Sequence, residues 1–262
     1  MEFKDKVCVV TGSTSGIGFA LAKYLLEHGA KVYGSGRTPE HMENAKAAFA
    51  QYGDKVSFEL IDFCSYRRAE EYFSGIAEEN GGVDYLFANA GGGTVNRFED
   101  ITWDMWEDVF GSNVFGAIAA IKGILPSMKR RKAGHILITA SLAGYSVNPY
   151  QASYVATKHA VYGLAQSLSY ELEDDNISVQ AICPGFVRTP IFTRNGEPEE
   201  AIPPQCIPVE QAVEEIMAGI EAGSVTINVC NEARAYYEAL RKDPDYCDSE
   251  MRNLAKFYSM QL

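Results

Sequence analysis

Apolar positions along this chain fall into two alternating patterns. Residues 6–10 read Lys-Val-Cys-Val-Val, a short apolar run with β-branched side chains and the length of a buried strand. Similar runs recur at 31–35, 56–60, 85–88, 135–139, 178–182 and 225–229. Between them lie longer stretches with helical spacing, at 19–26, 39–51, 67–80, 103–122 or beyond, 153–173 and 209–222. Repeated strand–helix units demand a parallel sheet with helices on both faces and right-handed crossovers. The pattern therefore predicts an α/β protein, a Rossmann-type doubly wound parallel sheet forming a single domain over 1–262. In such sheets ligands bind at the carboxyl ends of the strands.

Two motifs sit where that rule puts a site. The first follows the opening strand and precedes a helix: Thr11-Gly-Ser-Thr-Ser-Gly-Ile-Gly18. Glycines there let a pyrophosphate approach the backbone and rest at the helix N-terminus. The spacing, Gly12-x3-Gly16-x-Gly18, is one residue longer than the common dinucleotide fingerprint. The second is Tyr154-x3-Lys158, with Ser141 thirteen residues before the tyrosine and Asn113 further back. Four residues apart on a helix, the phenol and the ammonium share one face. A nearby cation favours the phenolate, which makes tyrosine a usable proton donor and acceptor near neutral pH. A serine hydroxyl beside it can hold the oxygen that exchanges the proton. This is the chemistry of carbonyl–alcohol interconversion, and it needs a hydride carrier.

In their order and spacing, the glycine loop, Asp62, Asn89-Ala90-Gly91, Asn113, Ser141, Tyr154-x3-Lys158 and Pro184-Gly185-Phe-Val-Arg-Thr189 resemble the single-domain short-chain dehydrogenases/reductases. The resemblance runs from about Lys6 to about Thr189. It implies that Tyr154 is the acid/base and that Ser141 orients the substrate oxygen. It implies that Lys158 binds the nicotinamide ribose and lowers the tyrosine pKa, and that Asn113 holds a water linking Lys158 to solvent. It further implies a dinucleotide held by Gly12, Ser13, Ser15, Gly16, Ile17, Gly18, Arg37, Asp62, Phe63, Asn89, Ala90, Gly91, Tyr154, Lys158, Pro184, Gly185, Val187 and Thr189. Within that set Asp62 is placed at the adenine and Thr189 at the nicotinamide carboxamide. Asn89 to Gly91 are placed beside the adenosine and as a brace for the central strand. The expected activity is NAD(P)-dependent interconversion of a secondary alcohol and a ketone. An epimerase or dehydratase on the same scaffold, and a dinucleotide-binding sensor without catalysis, are the other readings. A sensor normally shows a damaged Tyr or Lys, and here both stand.

Cofactor choice turns on the end of the second strand. An acid there bonds the adenosine ribose of NAD and repels a 2′-phosphate. This chain has Gly36 at that place and Arg37 after it. A guanidinium suits a phosphate, so NADP(H) is expected over NAD(H), although the glycine loop carries no basic residue.

Composition removes other classes. The charge is −12, from 23 basic and 35 acidic residues, with no basic stripe, so nucleic acid is not an expected partner. The one dense basic run, Lys129 to Lys132, ends a helix and suits its dipole. Six cysteines without a C-x-x-C pair read as reduced thiols. His28, His41, His135 and His159 are scattered, and no metal site is expected. Residues 1–6 lack the features of a signal peptide, and no run nears eighteen apolar residues. A cytoplasmic protein without a membrane span is expected.

Four further expectations concern the periphery. The proline-rich stretch 190–208 reads as a lid over the substrate. Tyr145, Val147, Tyr150, Phe186, Ile191 and Phe192 form an apolar set expected to line the substrate pocket, which favours a bulky apolar or amphipathic, steroid-like ketone. From about 225 the chain departs from the family. It continues as a helix over 232–242, a turn, and a second helix over 250–258, able to cover the substrate mouth or a subunit contact. Phe115, Ile118, Ala119 and Lys122, with Val161, Leu164, Leu168 and Leu172, give two helices a second apolar face. A homodimer or homotetramer is expected from it.

Overall fold

Every strand of the sheet is short and followed by a helix, most are apolar, and the computed structural model assembles them into one layer. It describes residues 2–193, 199–243 and 248–259. The strands are β1 (Val7–Thr11), β2 (Lys31–Gly36), β3 (Val56–Leu60), β4 (Tyr85–Ala88), β5 (Gly134–Thr139), β6 (Ile177–Pro184) and β7 (Thr226–Val229). They pair in the order β3-β2-β1-β4-β5-β6-β7, and every pairing is parallel. The helices are α1 (Gly16–Glu27), α2 (Pro39–Phe49), α3 (Tyr66–Glu79), α4 (Trp103–Phe110), α5 (Gly116–Arg131), α6 (Ala152–Glu171), α7 (Val209–Glu221), α8 (Asn231–Lys242) and α9 (Asp248–Ser259).

Successive strand residues point to opposite faces, so a sheet covered on both sides needs apolar residues at every position. The two cores show this. Val9, Leu86, Ile136, Ile138 and Ala181 pack with α3, α5 and α6. Their sequence neighbours Cys8, Val10, Phe87, Leu137 and Ile182 pack with α1, α2 and α7 on the other side. From β1 the chain steps outward through β2 to β3, then returns beside β1 at β4 and proceeds the other way. The crevice where strand order reverses lies at the carboxyl ends of β1 and β4.

The long helix expected from 103 differs in one respect. It runs to Arg131 but contains a π-helical turn over Gly111–Phe115, which joins α4 to α5 and contains Asn113. Such turns widen the helix locally and are common at functional sites. By length and composition the combined helix could cross a membrane, but most of it is buried within the fold. At its end the basic run does more than face a dipole. Arg131 donates to the Val83 carbonyl and pairs with Asp84, while Lys129 and Lys132 both pair with Asp175.

Part of the second apolar face is absorbed by the core. Ala119, Val161 and Leu172 are buried, whereas Phe115 is exposed and Ile118, Leu164 and Leu168 are half-buried. Of the 190–208 stretch, residues 194–198 lie outside the described residues. Its flanks are fixed by a short bridge between Val187 and Ile207.

Candidate active site

The glycine loop turns sharply because two of its residues have positive φ, +65° at Gly12 and +53° at Gly16, where glycine carries no steric penalty. Ser13 is fully buried, and its Oγ accepts from the Ser35 amide at 3.0 Å, pinning the loop to the end of β2. Asn89 holds the strand ends together. Its backbone N–H, and that of Ala90, donate to Thr11 Oγ1 at 2.9 Å, and its Oδ1 accepts from Thr139 Oγ1 at 3.2 Å. These bonds join β1, β4 and β5 at the point of strand reversal.

Above them opens a cleft of about 600 Å³. Gly12, Ser15, Gly16 and Ile17 line it from the N-terminus of α1. Arg37 and Phe63 line it from the ends of β2 and β3, and Asn89, Ala90 and Gly91 from the end of β4. Ser141, Tyr154 and Lys158 line its far wall, and Pro184, Gly185, Val187 and Thr189 its floor. The structure thus brings together all but four of the residues named from sequence. Ser13 and Gly18 sit behind the loop. Asp62 accepts from the Cys64 amide at 3.0 Å and from Ser65 Oγ at 2.9 Å, at the start of α3.

Asn113 is the fourth. Its Oδ1 accepts from the Gly92 amide at 2.8 Å and from Ser112 Oγ at 3.1 Å. Its Nδ2 donates to the Gly92 carbonyl and to Thr157 Oγ1, both at 2.8 Å. Two donors and two acceptor positions are the full capacity of an amide. In this structure the Asn113 side chain clamps the glycine segment after β4 onto α6, with its amide positions filled.

Lys158 is 4 % exposed, and its Nζ donates to the Thr139 carbonyl at 2.9 Å. It lies 5.7 Å from the centre of the Tyr154 ring. Burial pulls its ammonium down to about 8, because a low-dielectric site disfavours charge. Ser141 starts a tight turn, where its Oγ accepts from the Ala143 amide at 3.1 Å. His159, next to Lys158, is exposed and bonded to the Val155 carbonyl, away from the site.

Gly93 was not singled out in the sequence, though it stands in the run after Asn89. A Cβ on it would lie 2.3 Å from Cδ2 of Tyr154. Gly93→Ala is therefore expected to push the ring aside and lower turnover by about a hundredfold, the order of effect of an ångström-scale misplacement. Steady-state kinetics beside the melting curve will check it, since a simple folding defect would lower the melting point instead. Thr157, which receives the Asn113 bond, was likewise missed; only its place between Tyr154 and Lys158 hints at it.

The cleft is also lined by Leu142, Ala143, Phe186, Ile191 and Phe192, with Asn148 and Gln151. Tyr145, Val147 and Tyr150 are not on it. The Tyr145 hydroxyl donates to Asn228 Oδ1 at 2.8 Å, and its ring packs on Tyr162 and Tyr237, so it ties this loop to α8. Val147 and Pro149, with Asn148, instead line a second cavity together with Met251, Arg252 and Ala255 of α9. Because Asn148 borders both spaces, the tail lies beside the cleft.

The sequence profile described as short chain dehydrogenase matches residues 6–200. The chain belongs to this family. A D-beta-hydroxybutyrate dehydrogenase of Rhizobium meliloti is 32% identical over 218 residues, 81% of this chain and 82% of that protein. A short-chain dehydrogenase/reductase of Burkholderia phymatum in complex with NAD superposes with a TM-score of 0.84 at 24% identity, over 94% of this chain and 96% of that one. A short chain dehydrogenase of Burkholderia cenocepacia in complex with NADP gives 0.80 at 24% identity, over 96% of this chain and 99% of that one. These two structures establish the family's fold for this chain. The protein is an oxidoreductase of the short-chain dehydrogenase family, and its Rossmann-type sheet is the expected one.

Proposed function

We propose that this protein interconverts a secondary alcohol and a ketone with a nicotinamide dinucleotide, preferring NADP(H). The observation that carries the reading is a buried, charged Lys158 beside the Tyr154 ring, on the wall of a cleft that begins at a helix N-terminus. The residues present fit such a cofactor. The α1 N-terminus and glycine loop suit its pyrophosphate, Lys158 its ribose, and the floor from Pro184 to Thr189 its nicotinamide. When bound, the dinucleotide supplies or accepts the hydride at the carbon. The chain supplies the rest. Ser141 orients the oxygen, and the Tyr154 hydroxyl gives it a proton in reduction and takes one in oxidation. The Lys158 ammonium favours the phenolate left behind.

The apolar residues from Phe186 to Phe192 favour an apolar or amphipathic ketone, steroid-like in bulk. The relative named for a hydroxybutyrate, itself a secondary alcohol, supports the reaction class. Gly36 and Arg37 support NADP(H). The five described cysteines are all thiols, which fits a reducing, cytoplasmic compartment. Purified protein mixed with NADPH or NADH and a panel of ketones tests the reading through the near-ultraviolet absorbance of the reduced nicotinamide. Dinucleotide binding with no consumption on any ketone or alcohol would favour the sensor instead.

We also infer a homo-oligomer through the outer faces of α5 and α6, around Phe115, Ile118, Leu164 and Leu168, as an isologous contact. Light scattering should give at least about twice 28.8 kDa. A monomer at micromolar concentration would remove the interface.

A further inference from the structure

We propose that Asp108 discriminates between cofactors: its carboxylate engages Arg37 and restrains the affinity of the cleft for a 2′-phosphate. The proposal rests on the dinucleotide reading above and concerns its adenosine end.

The usual place for an acid that rejects a 2′-phosphate is the end of the second strand, and here that place is a glycine whose replacement would have to displace the Thr14 side chain. A Cβ at Gly36 would lie 2.6 Å from Thr14 Cγ2 and 2.7 Å from its Oγ1. The next residue, Arg37, lines the cleft. Its Nη1 donates to Oδ1 of Asp108 on α4, 71 residues away, at 2.5 Å. Asp62, the other acid at this end, accepts hydrogen bonds at the start of α3 instead. The discriminating acid has thus moved from the strand end to a facing helix, where it acts through the arginine.

The physical consequence follows from charge. A phosphate bound at this guanidinium brings nearly two negative charges and three acceptor oxygens. It must either share the guanidinium with a carboxylate of like sign or displace it. Both side chains are 53 % exposed, so water screens the pair and the penalty is modest. The result is a tempered preference for NADP(H), with NAD(H) still accepted.

The test uses the full chain and two cofactor fragments, adenosine 2′,5′-bisphosphate and adenosine 5′-monophosphate, titrated by calorimetry. Asp108→Asn keeps the shape and removes the charge. It is expected to tighten the bisphosphate about fivefold at low ionic strength and leave the monophosphate unchanged. High salt should shrink the gain. In an Arg37→Ala background the gain should vanish. Binding of the bisphosphate that Asp108→Asn leaves unchanged or weakens would overturn the proposal, as would a gain that survives Arg37→Ala. If the wild-type chain binds neither fragment nor either dinucleotide, the dinucleotide reading falls and the proposal falls with it.

Discussion

Tyr154→Phe is expected to lower turnover by about a hundredfold to ten-thousandfold, the range contributed by a positioned acid or base. The change removes one oxygen. It leaves the ring, which packs against Gly93, and it leaves the glycine loop, the β4 end and Lys158 in place. Dinucleotide affinity should therefore stay at the wild-type value while turnover collapses, a split that a folding defect does not produce. Fluorescence titration with NADPH beside steady-state kinetics on an accepted ketone measures both. Near wild-type turnover in the variant would show that another group moves the proton.

The second large effect runs the opposite way in stability. Lys158 is an ammonium almost entirely withdrawn from water, with its pKa lowered by burial from 10.5 to about 8. A folded-state pKa below the unfolded value means that the charged form is destabilised by folding. Each unit corresponds to about 1.4 kcal/mol, and the bond to the Thr139 carbonyl that a variant would lose offsets roughly 1 kcal/mol of the relief. Lys158→Met, similar in length and uncharged, is expected to raise stability by about 2 kcal/mol below pH 8 and to abolish activity. The sign with pH is definite. Below about 8 the lysine is charged in both states, and the whole cost is present. Between that pH and 10.5 the folded form has shed its proton while the unfolded chain keeps it, so wild-type stability rises and the gap to the variant closes. Denaturant unfolding at a series of pH values follows it. A variant less stable than wild type at neutral pH would mean that the ammonium is better solvated than its burial implies.

The two effects belong together. A charge held in the core at a cost to folding is one that packing alone would not select, and Tyr154 is the group that gains from it. Trading a buried charge for an active phenol would place a reserve of stability at the proposed catalytic site.

Much of this was legible in the chain itself. Strand and helix alternate because each element's apolar period is set by neighbours two to four residues away, so local sequence is enough to read it. The glycine loop, Ser141, Tyr154 and Lys158 were found for a similar reason: loop glycines and a four-residue helical spacing are local constraints. The strand order, with β1 beside both β2 and β4, required pairing between segments far apart in the chain. So did the fate of side chains whose partners come from such pairing. Tyr145 looked like pocket lining because it follows Ser141, yet its hydroxyl is drawn to Asn228, 83 residues on. Asn113 was recognised as a site residue. That its amide is saturated by Gly92, Ser112 and Thr157 depends on the π-helical turn that aims it. Arg37 read as a free cation until folding brought Asp108 to it. Sequence by itself determined most of the elements and the family and singled out the candidate reacting groups, since these are properties of short segments. Only the tertiary structure decided how strongly Lys158 is desolvated and which charges meet across the cleft, because burial and Coulomb interaction depend on distance in space.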